Sequence, residues 1–513
     1  MSTARKILGS TISQFFGKLI VGLLSIIVIK LLTGYLTQSQ YGDYNFIYDF
    51  LAVFGIIADL GLYTVAVREM SKDESKIEIL LGNILTIRTF VGIIAMLTAI
   101  GVGFFIPIYM PWYATAAIPY GIAIASVTVL LAILNGTLTS VLQVHYRMRE
   151  SAIAAIIGKV ISIAYIAYIV LIALTQDAST GFYHVIAAGV IGNAAMLIYT
   201  YWYTRRFTHI AYRFDWNIIR DVFIKALPYG LALMLSTIYF RLNTILLYNI
   251  KGPEEVAFYS VGMRLIESLT VIALYFMNSV LPVLTQSLEK HDGKHQSIIQ
   301  NAFDFLAMLG FALAAGGLVL AYPLVAIVSK PEYLSRISEG IYGSDIGLQI
   351  LLFALMFSFI NTLFSFVLIS VNQQKKLLWI NLGAIVMNLA LNMLVIPKYG
   401  FRGAAVTSVI AECYILAVTF ITAKKFLTFD LKLGNLAKII LSSVVMGAAV
   451  LFLRDPTFSL LENKNLLLLI PLGATIFAAM LWLTGVITRA RLREVFKKDA
   501  RAEPEIIESN PSQ

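Results

Sequence analysis

Apolar residues run along this chain in blocks of 18 to 30, separated by short polar stretches. A helix needs roughly 20 apolar residues to cross a ~30 Å hydrocarbon core, so each block predicts one membrane span. Fourteen spans are predicted, at about 11–33, 43–67, 84–108, 116–142, 152–174, 182–203, 221–249, 256–287, 299–327, 343–372, 377–396, 402–423, 435–453 and 465–487. The first block is too long for a signal peptide and no small-residue cleavage site follows it, so it is expected to stay in the mature chain. The fold class this predicts is an all-α polytopic membrane protein.

Composition agrees. Of 513 residues, 59% are hydrophobic and 13% charged, about half the charge of a soluble globular protein. No polar interval exceeds about 25 residues, which leaves no room for a soluble catalytic or nucleotide-binding domain. Phosphate-loop, dinucleotide-binding and HExxH motifs are absent from the sequence, and the single Cys413 lies inside an apolar block. No metal site, no cofactor and no enzymatic activity are therefore expected. The net charge of +10 does not imply nucleic acid, because the basic residues are scattered among the spans rather than gathered on one domain.

That scatter carries topology. With the N-terminus in the cytoplasm, segments on that side hold 24 Lys and Arg and the opposite segments hold seven, out of 39 in all. The positive-inside rule then places both termini of a multi-pass chain in the cytoplasm. The segment from Lys497 to Gln513 reads as a disordered cytoplasmic tail.

The two halves of the chain also match each other at separations of roughly 215–226 residues. Gly181-Phe182 to Phe207 aligns with Gly400-Phe401 to Phe426, ending in Arg205-Arg206-Phe207 against Lys424-Lys425-Phe426. Asn135, Val141 and Leu142 pair with Asn361, Val367 and Leu368, and Tyr44 pairs with Tyr259. Six spans separate the copies, so both keep the same orientation, as in a parallel repeat about an axis along the membrane normal. The expected organisation is a six-helix bundle over 1–210, a second over 211–430, two additional helices over 431–490 and a tail over 491–513. The substrate path is expected between the bundles.

Ionisable groups inside spans are costly and suggest function unless they snorkel to the surface. Lys30, Arg88, Lys225 and Lys438 lie near predicted span ends and read as anchors. Lys18, Lys159, Arg241 and Arg264 lie seven or more residues in, roughly 10 Å deep. These four are the candidate substrate-binding cations of an aqueous cavity, suited to a diphosphate headgroup. Glu412 lies near the middle of the twelfth span, where burial penalises a bare charge and a proton or sodium ion relieves it. Asp59 is a second candidate for ion coupling. Glu267 follows Arg264 by three positions on the same helical face, and Asp49 stands where the repeat places Arg264, which suggests a cross-bundle pair made in one state and broken in another. Asp304, close to a span end, is expected to be exposed. Pro228, Pro282 and Pro323 mark places where a kink can act as a gate.

Several short segments carry a resemblance. They are Leu32 to Tyr44 (LTGYLTQSQYGDY), Ala58-Asp59-Leu60-Gly61-Leu62, Val67-Arg68-Glu69, Arg241-Leu242-Asn243, Val256-Ala257-Phe258-Tyr259-Ser260 with Arg264-Leu265, Asn388 to Asn392, Ile396-Pro397-Lys398-Tyr399-Gly400 and Gly403-Ala404-Ala405. As a set they resemble the polysaccharide biosynthesis (O-antigen and lipid-linked oligosaccharide) flippase family, within the multidrug, oligosaccharidyl-lipid and polysaccharide exporters. Two positions depart from the family pattern: Gly34 replaces a frequent Arg, and Asn243 a frequent Asp. The resemblance implies a plasma-membrane flippase that moves a polyprenyl-(pyro)phosphate-linked oligosaccharide by alternating access, in some members driven by H+ or Na+. The implied partners are the anionic lipid-linked glycan, the bilayer and other polysaccharide-assembly membrane proteins. A drug or metabolite antiporter and a peptidoglycan-precursor flippase of the same fold are the alternatives. A membrane glycosyltransferase or polymerase fits less well, since the longest exterior loop, about 15 residues from Val328 to Tyr342, exposes only Glu332 and Glu339.

Overall fold

The computed structural model describes residues 3–109, 117–173, 178–461 and 465–487. Helices account for nearly all of them: α1 (Thr3–Tyr35), α2 (Gln38–Asp59), α3 (Leu62–Lys72), α4 (Ile77–Tyr109), α5 (Ala117–Val144), α6 (Met148–Tyr168), α7 (Ala178–Thr204), α8 (Trp216–Lys251), α9 (Pro253–Lys290), α10 (His295–Val328), α11 (Ser344–Ser370), α12 (Gln374–Phe426), α13 (Gly434–Leu461) and α14 (Leu466–Leu483). The tail expected from Lys497 to Gln513 lies outside the described residues.

Four of these helices, α2, α3, α8 and α12, set the number of membrane crossings. By length and apolarity twelve helical segments can cross a membrane, or thirteen when the bent α8 counts as one span. Among them α12, at 53 residues, is about 80 Å of helix, more than twice a bilayer core. It is broken at Gly400, whose φ of +56° is a left-handed conformation that glycine tolerates best. Two spans therefore come from α12, as the sequence predicts, and fourteen crossings result. Conversely, the single predicted second span is two helices. The chain turns at Leu60 (φ 38°) and Gly61 (φ 75°), so α2 and α3 form one span with an internal break. The apolar block is continuous across that break, which is why hydropathy alone missed it.

A far side and a near side follow, the near side being where α1 begins. On the far side lie the α1–α2 and α8–α9 turns, the 329–343 loop and the Gly400 break; on the near side lie the α3–α4, α9–α10 and α11–α12 turns. Large apolar side chains such as Phe90, Leu97, Leu171, Leu394, Phe452 and Leu467 are exposed around the perimeter, as hydrocarbon rather than water requires. Helices α1 and α4 to α7 pack mainly on one another, α9 to α12 do likewise, and α13 and α14 lie against α10. α2 reaches across to both α8 and α9.

That crossing closes the far side. Phe46 stacks on Tyr248 at 4.1 Å, the Tyr248 hydroxyl donates to Asp43 Oδ1 at 2.6 Å, and Gly42 lies against the Pro253 backbone. Thr33 Oγ1 donates to the Val328 carbonyl (2.8 Å), Gln38 Nε2 to the Glu332 carbonyl (2.8 Å), and Tyr41 meets Tyr333 edge-on.

Candidate functional site: a charged gap between the helix groups

The deepest charges gather where α2 meets α8 and α9. Arg241 Nη1 on α8 donates to Asp49 Oδ1 (2.9 Å) and Glu267 Oε1 (2.7 Å). Arg264 on α9 donates through Nη2 to the same Asp49 oxygen (3.0 Å), through Nη1 to Glu267 Oε2 (2.9 Å) and through Nε to Asn45 Oδ1 (3.1 Å). Two guanidiniums and two carboxylates thus close a ring of zero formal charge. Asp49 is its most buried member, 6% exposed as a side chain, while Arg241, Arg264 and Glu267 are about a quarter exposed. Pairing makes such burial tolerable, and removing one partner of a buried pair costs roughly 3–5 kcal/mol. The Asp49–Arg264 pair and the Glu267–Arg264 pair suggested by the sequence coexist. Arg241, read as a free cation, is a third participant.

The other two candidate cations lie differently. Lys18 projects between Phe15, whose ring meets Tyr275 of α9 at 5.9 Å, and Gly22, which approaches Ser268 of α9. It is exposed, on the face of α1 that carries these two approaches to α9. Lys159 stands seven residues on from Ala152, which packs against Gly17 of α1, so it shares that face of α6; it is half-buried and within electrostatic reach of Arg264. Neither lysine has a carboxylate within 4.0 Å among the described residues. Of the four cations, two are neutralised in the ring, and Lys18 and Lys159 have no carboxylate partner among the described residues.

Glu412 is 7% exposed on the second half of α12. The Tyr239 hydroxyl donates to its Oε1 at 3.2 Å, Asn361 approaches the carboxyl from α11, and Oε2 is buried without a hydrogen-bond partner. A cavity of about 60 Å³ adjoins it, and Glu267 of the charged ring lines the same cavity with Asn243, Tyr259 and Ser408. That volume is large enough for a small number of water molecules, and both carboxylates line it.

An uncharged network unforeseen from the sequence surrounds Asn243. Its amide donates to Ser408 Oγ (2.7 Å) and the Tyr259 hydroxyl (3.2 Å), and its oxygen accepts from Asn392 (2.7 Å). Asn392 bonds Asn388 and accepts from Thr407. An amide both donates and accepts, so Asn243 satisfies neighbours that an aspartate in its place would meet with acceptors alone. The available signal was Asn388 and Asn392 at helical spacing within an apolar block.

Two expectations, for Arg88 and Asp304, need correction. Arg88 is not a surface anchor. It is 4% exposed, pairs with Asp59 at 2.6 Å and donates to Thr137 at 3.0 Å. The predicted span began at 84, whereas α4 begins at Ile77, which puts Arg88 three turns deep. Asp59, a candidate for ion coupling, is that arginine's counter-charge. Asp304 is 3% exposed rather than solvated, accepting from Gln300 (2.8 Å) and Asn435 (2.6 Å), because the start of α13 folds over it. Lys30, Lys225 and Lys438 are exposed, and Lys225 pairs with Asp221 at 2.7 Å.

The comparisons agree with this architecture. The profile of the "Polysaccharide biosynthesis protein" family matches residues 7–288, more than half of the chain, and the "MatE" profile matches residues 228–394. No curated protein matches the chain. Among solved structures, a lipid II flippase MurJ in an inward closed conformation superposes with a TM-score of 0.70 at 14% identity, covering 96% of this chain and 99% of the other. An inward-facing multidrug resistance MATE family transporter of the MOP superfamily gives 0.60 at 16% identity over 79% and 97%. A MOP superfamily transporter from Pyrococcus furiosus gives 0.60 at 16% identity over 82% and 95%. With the fold of the MOP superfamily and that profile match, the chain belongs to the polysaccharide biosynthesis protein family.

Proposed function

We propose that this chain flips a polyprenyl-(pyro)phosphate-linked oligosaccharide across the plasma membrane by alternating access. The observation that carries this reading is that Lys18 and Lys159 have no carboxylate partner among the described residues, with Lys159 within electrostatic reach of a neutral arginine–carboxylate ring that ties α2 to α8 and α9. The distribution of Lys and Arg supports a cytoplasmic near side. A diphosphate entering from there meets Lys18 first and then Lys159. At Arg241 and Arg264 it competes with Asp49 and Glu267 for bidentate guanidinium contacts. Each arginine that turns to phosphate gives up a tie across the far-side closure. The anion thus binds the far-open state better than the far-closed one, which is what any ligand must do to drive a conformational change.

Glu412 supplies a route for coupling. Two guanidiniums hold Glu267 ionised, whereas Glu412, which lines the same cavity and has no cation within 4.0 Å among the described residues, is the carboxyl placed to take up a proton. The membrane around the gap needs no hydrolytic chemistry for this cycle. A cationic-drug antiporter is disfavoured by these two lysines. A peptidoglycan-precursor flippase, the activity named for the MurJ structure, would use the same diphosphate recognition. The test is deletion of the protein followed by analysis of accumulated lipid-linked intermediates. Accumulation of an undecorated O-antigen-type lipid oligosaccharide is the expected result; accumulation of peptidoglycan precursor alone would transfer the cargo to the second reading, and accumulation of neither would reject both.

A further inference from the structure

The second cavity lies away from the gap, on the far side, and its volume is about 310 Å³. Its walls come from three stretches that the sequence keeps apart, around the α8–α9 turn, before α11 and at the α12 break. The end of α8 contributes Lys251; the start of α9 contributes Glu255; the turn before α11 contributes Tyr342; and the α12 break contributes Lys398, Tyr399 and Arg402. The break makes this possible. Gly400 adopts its positive φ with Glu255 packed where a side chain would stand, a Cβ there lying 2.2 Å from Glu255 Oε2. The same carboxylate accepts from the Phe401 amide at 2.7 Å, and Phe258 stacks on Phe401 at 5.5 Å as an apolar floor.

The charge here is unbalanced. Three cations face one carboxylate, already engaged by a backbone amide, and none of the three lies within 4.0 Å of an acidic oxygen among the described residues. Arg402 lies 3.6 Å over the Tyr342 ring and Lys398 is 5.3 Å from the centre of the Tyr399 ring. Both tyrosines remain exposed, at 39% and 47%. A topological role asks only that far-side cations be few and dispersed. Three of the seven basic residues assigned to that side converge on one cavity instead.

We propose that this far-side cavity is a binding site for a sugar ring bearing a negative charge, a carboxylate or a phosphate. The size suits one or two sugar rings, given that small-molecule sites begin near 300 Å³. Arg402 and Lys398 would hold the anionic group, Lys251 would approach it from α8, and the tyrosine rings would meet the sugar's C–H face. A phosphatidylglycerol headgroup would use the cations equally well but has no ring for the tyrosines to meet. The site rests on the flippase reading only for its setting: a charged glycan delivered to the far side would pass this cavity on leaving the gap.

The test uses the full-length chain in phosphatidylcholine nanodiscs. Binding is measured with a glucuronate-containing tetrasaccharide, a neutral chitin tetrasaccharide and inorganic phosphate. The uronate sugar is expected to bind saturably, about tenfold or more tighter than the neutral one, with phosphate competing weakly. The double substitution Lys398→Gln with Arg402→Gln should weaken it at least tenfold, while Arg454→Gln, which removes a far-side charge elsewhere, should leave it unchanged. Lys251→Gln, an exposed position, should give an intermediate loss and guards against a misfolded double variant. Equal binding of the neutral sugar, equal loss in Arg454→Gln, or no saturable binding would each overturn the proposal. Abolition of sugar binding in phosphatidylglycerol nanodiscs would reassign the cavity to lipid headgroups. A chain that binds the uronate but leaves no lipid-linked intermediate accumulating on deletion refutes the cargo and spares the cavity; the reverse pattern refutes the cavity alone.

Discussion

Arg264 illustrates how a membrane protein retains a deep charge: three hydrogen-bond contacts, two to carboxylates and one to Asn45, satisfy its guanidinium. Replacing Asp49 by Asn leaves the ring with one net positive charge and weakens both cross-helix ties. The expected result is a far side that opens more often, measured as faster maleimide labelling of Thr33→Cys in a Cys413→Ala background. Thr33 is fully buried in the intact seal, so an unchanged labelling rate would show that the ring does not hold the closure. Arg88→Ala should be worse for folding than for transport, since it empties the buried guanidinium site and leaves the half-buried Asp59 without its counter-charge, at a cost of up to roughly 3 kcal/mol. A thermal midpoint within a degree or two of wild type would contradict this. Glu412→Gln keeps the Tyr239 contact but cannot take up a proton. It is expected to leave substrate binding intact and to remove the dependence of transport on the ion gradient; transport that keeps its full gradient dependence would sink the coupling role.

Two broken helices meet at the element scale. α8 bends by 55° between Trp216–Pro228 and Leu233–Lys251, where Pro228 withdraws a backbone donor. Its Gly230 docks against the break between α2 and α3, so closely that a Cβ would lie 2.3 Å from the Leu60 carbonyl oxygen. The near half of α8 then packs with α3, Val222 and Ala226 joining Leu62, Val65 and Ala66 in one apolar cluster. Backbone cannot yield as a flexible side chain can, so Gly230→Val should force α8 off α2. The expected outcome is loss of transport with a lowered thermal midpoint, and full activity at wild-type stability would show that this contact is dispensable. Hydropathy marked Pro228 as a place to bend, but the partner break at Leu60 lay hidden inside an unbroken apolar run.

At the scale of the whole molecule, closure on the far side and two lysines without a carboxylate partner among the described residues describe one state of a two-state cycle. Substituting both Lys18 and Lys159 by Gln is expected to lower flipping of a diphosphate-linked lipid in liposomes by about tenfold or more while leaving the far-side seal intact; unchanged flipping would remove the headgroup argument. Span number, the break between the α12 halves and the depth of Lys18, Lys159, Arg241, Arg264 and Glu412 were legible in the sequence, because hydrocarbon dictates the length and apolarity of whatever crosses it; the depth of Arg88 and Asp304 was not, because the predicted span ends fell short of the helices. Which charges are free was not legible. Asp49 and Arg264 are 215 positions apart, and Asp59 and Arg88 are 29 apart. Whether a buried cation is neutralised depends on a carboxylate within about 4 Å, a distance that only the packing of separate helices sets. The sequence alone determined that this is a polytopic helical membrane protein with charges buried in it. Tertiary structure decided that Arg241 and Arg264 are locked in a neutral ring while Lys18 and Lys159 find no carboxylate partner among the described residues, because pairing is a matter of position in space and not of order along the chain.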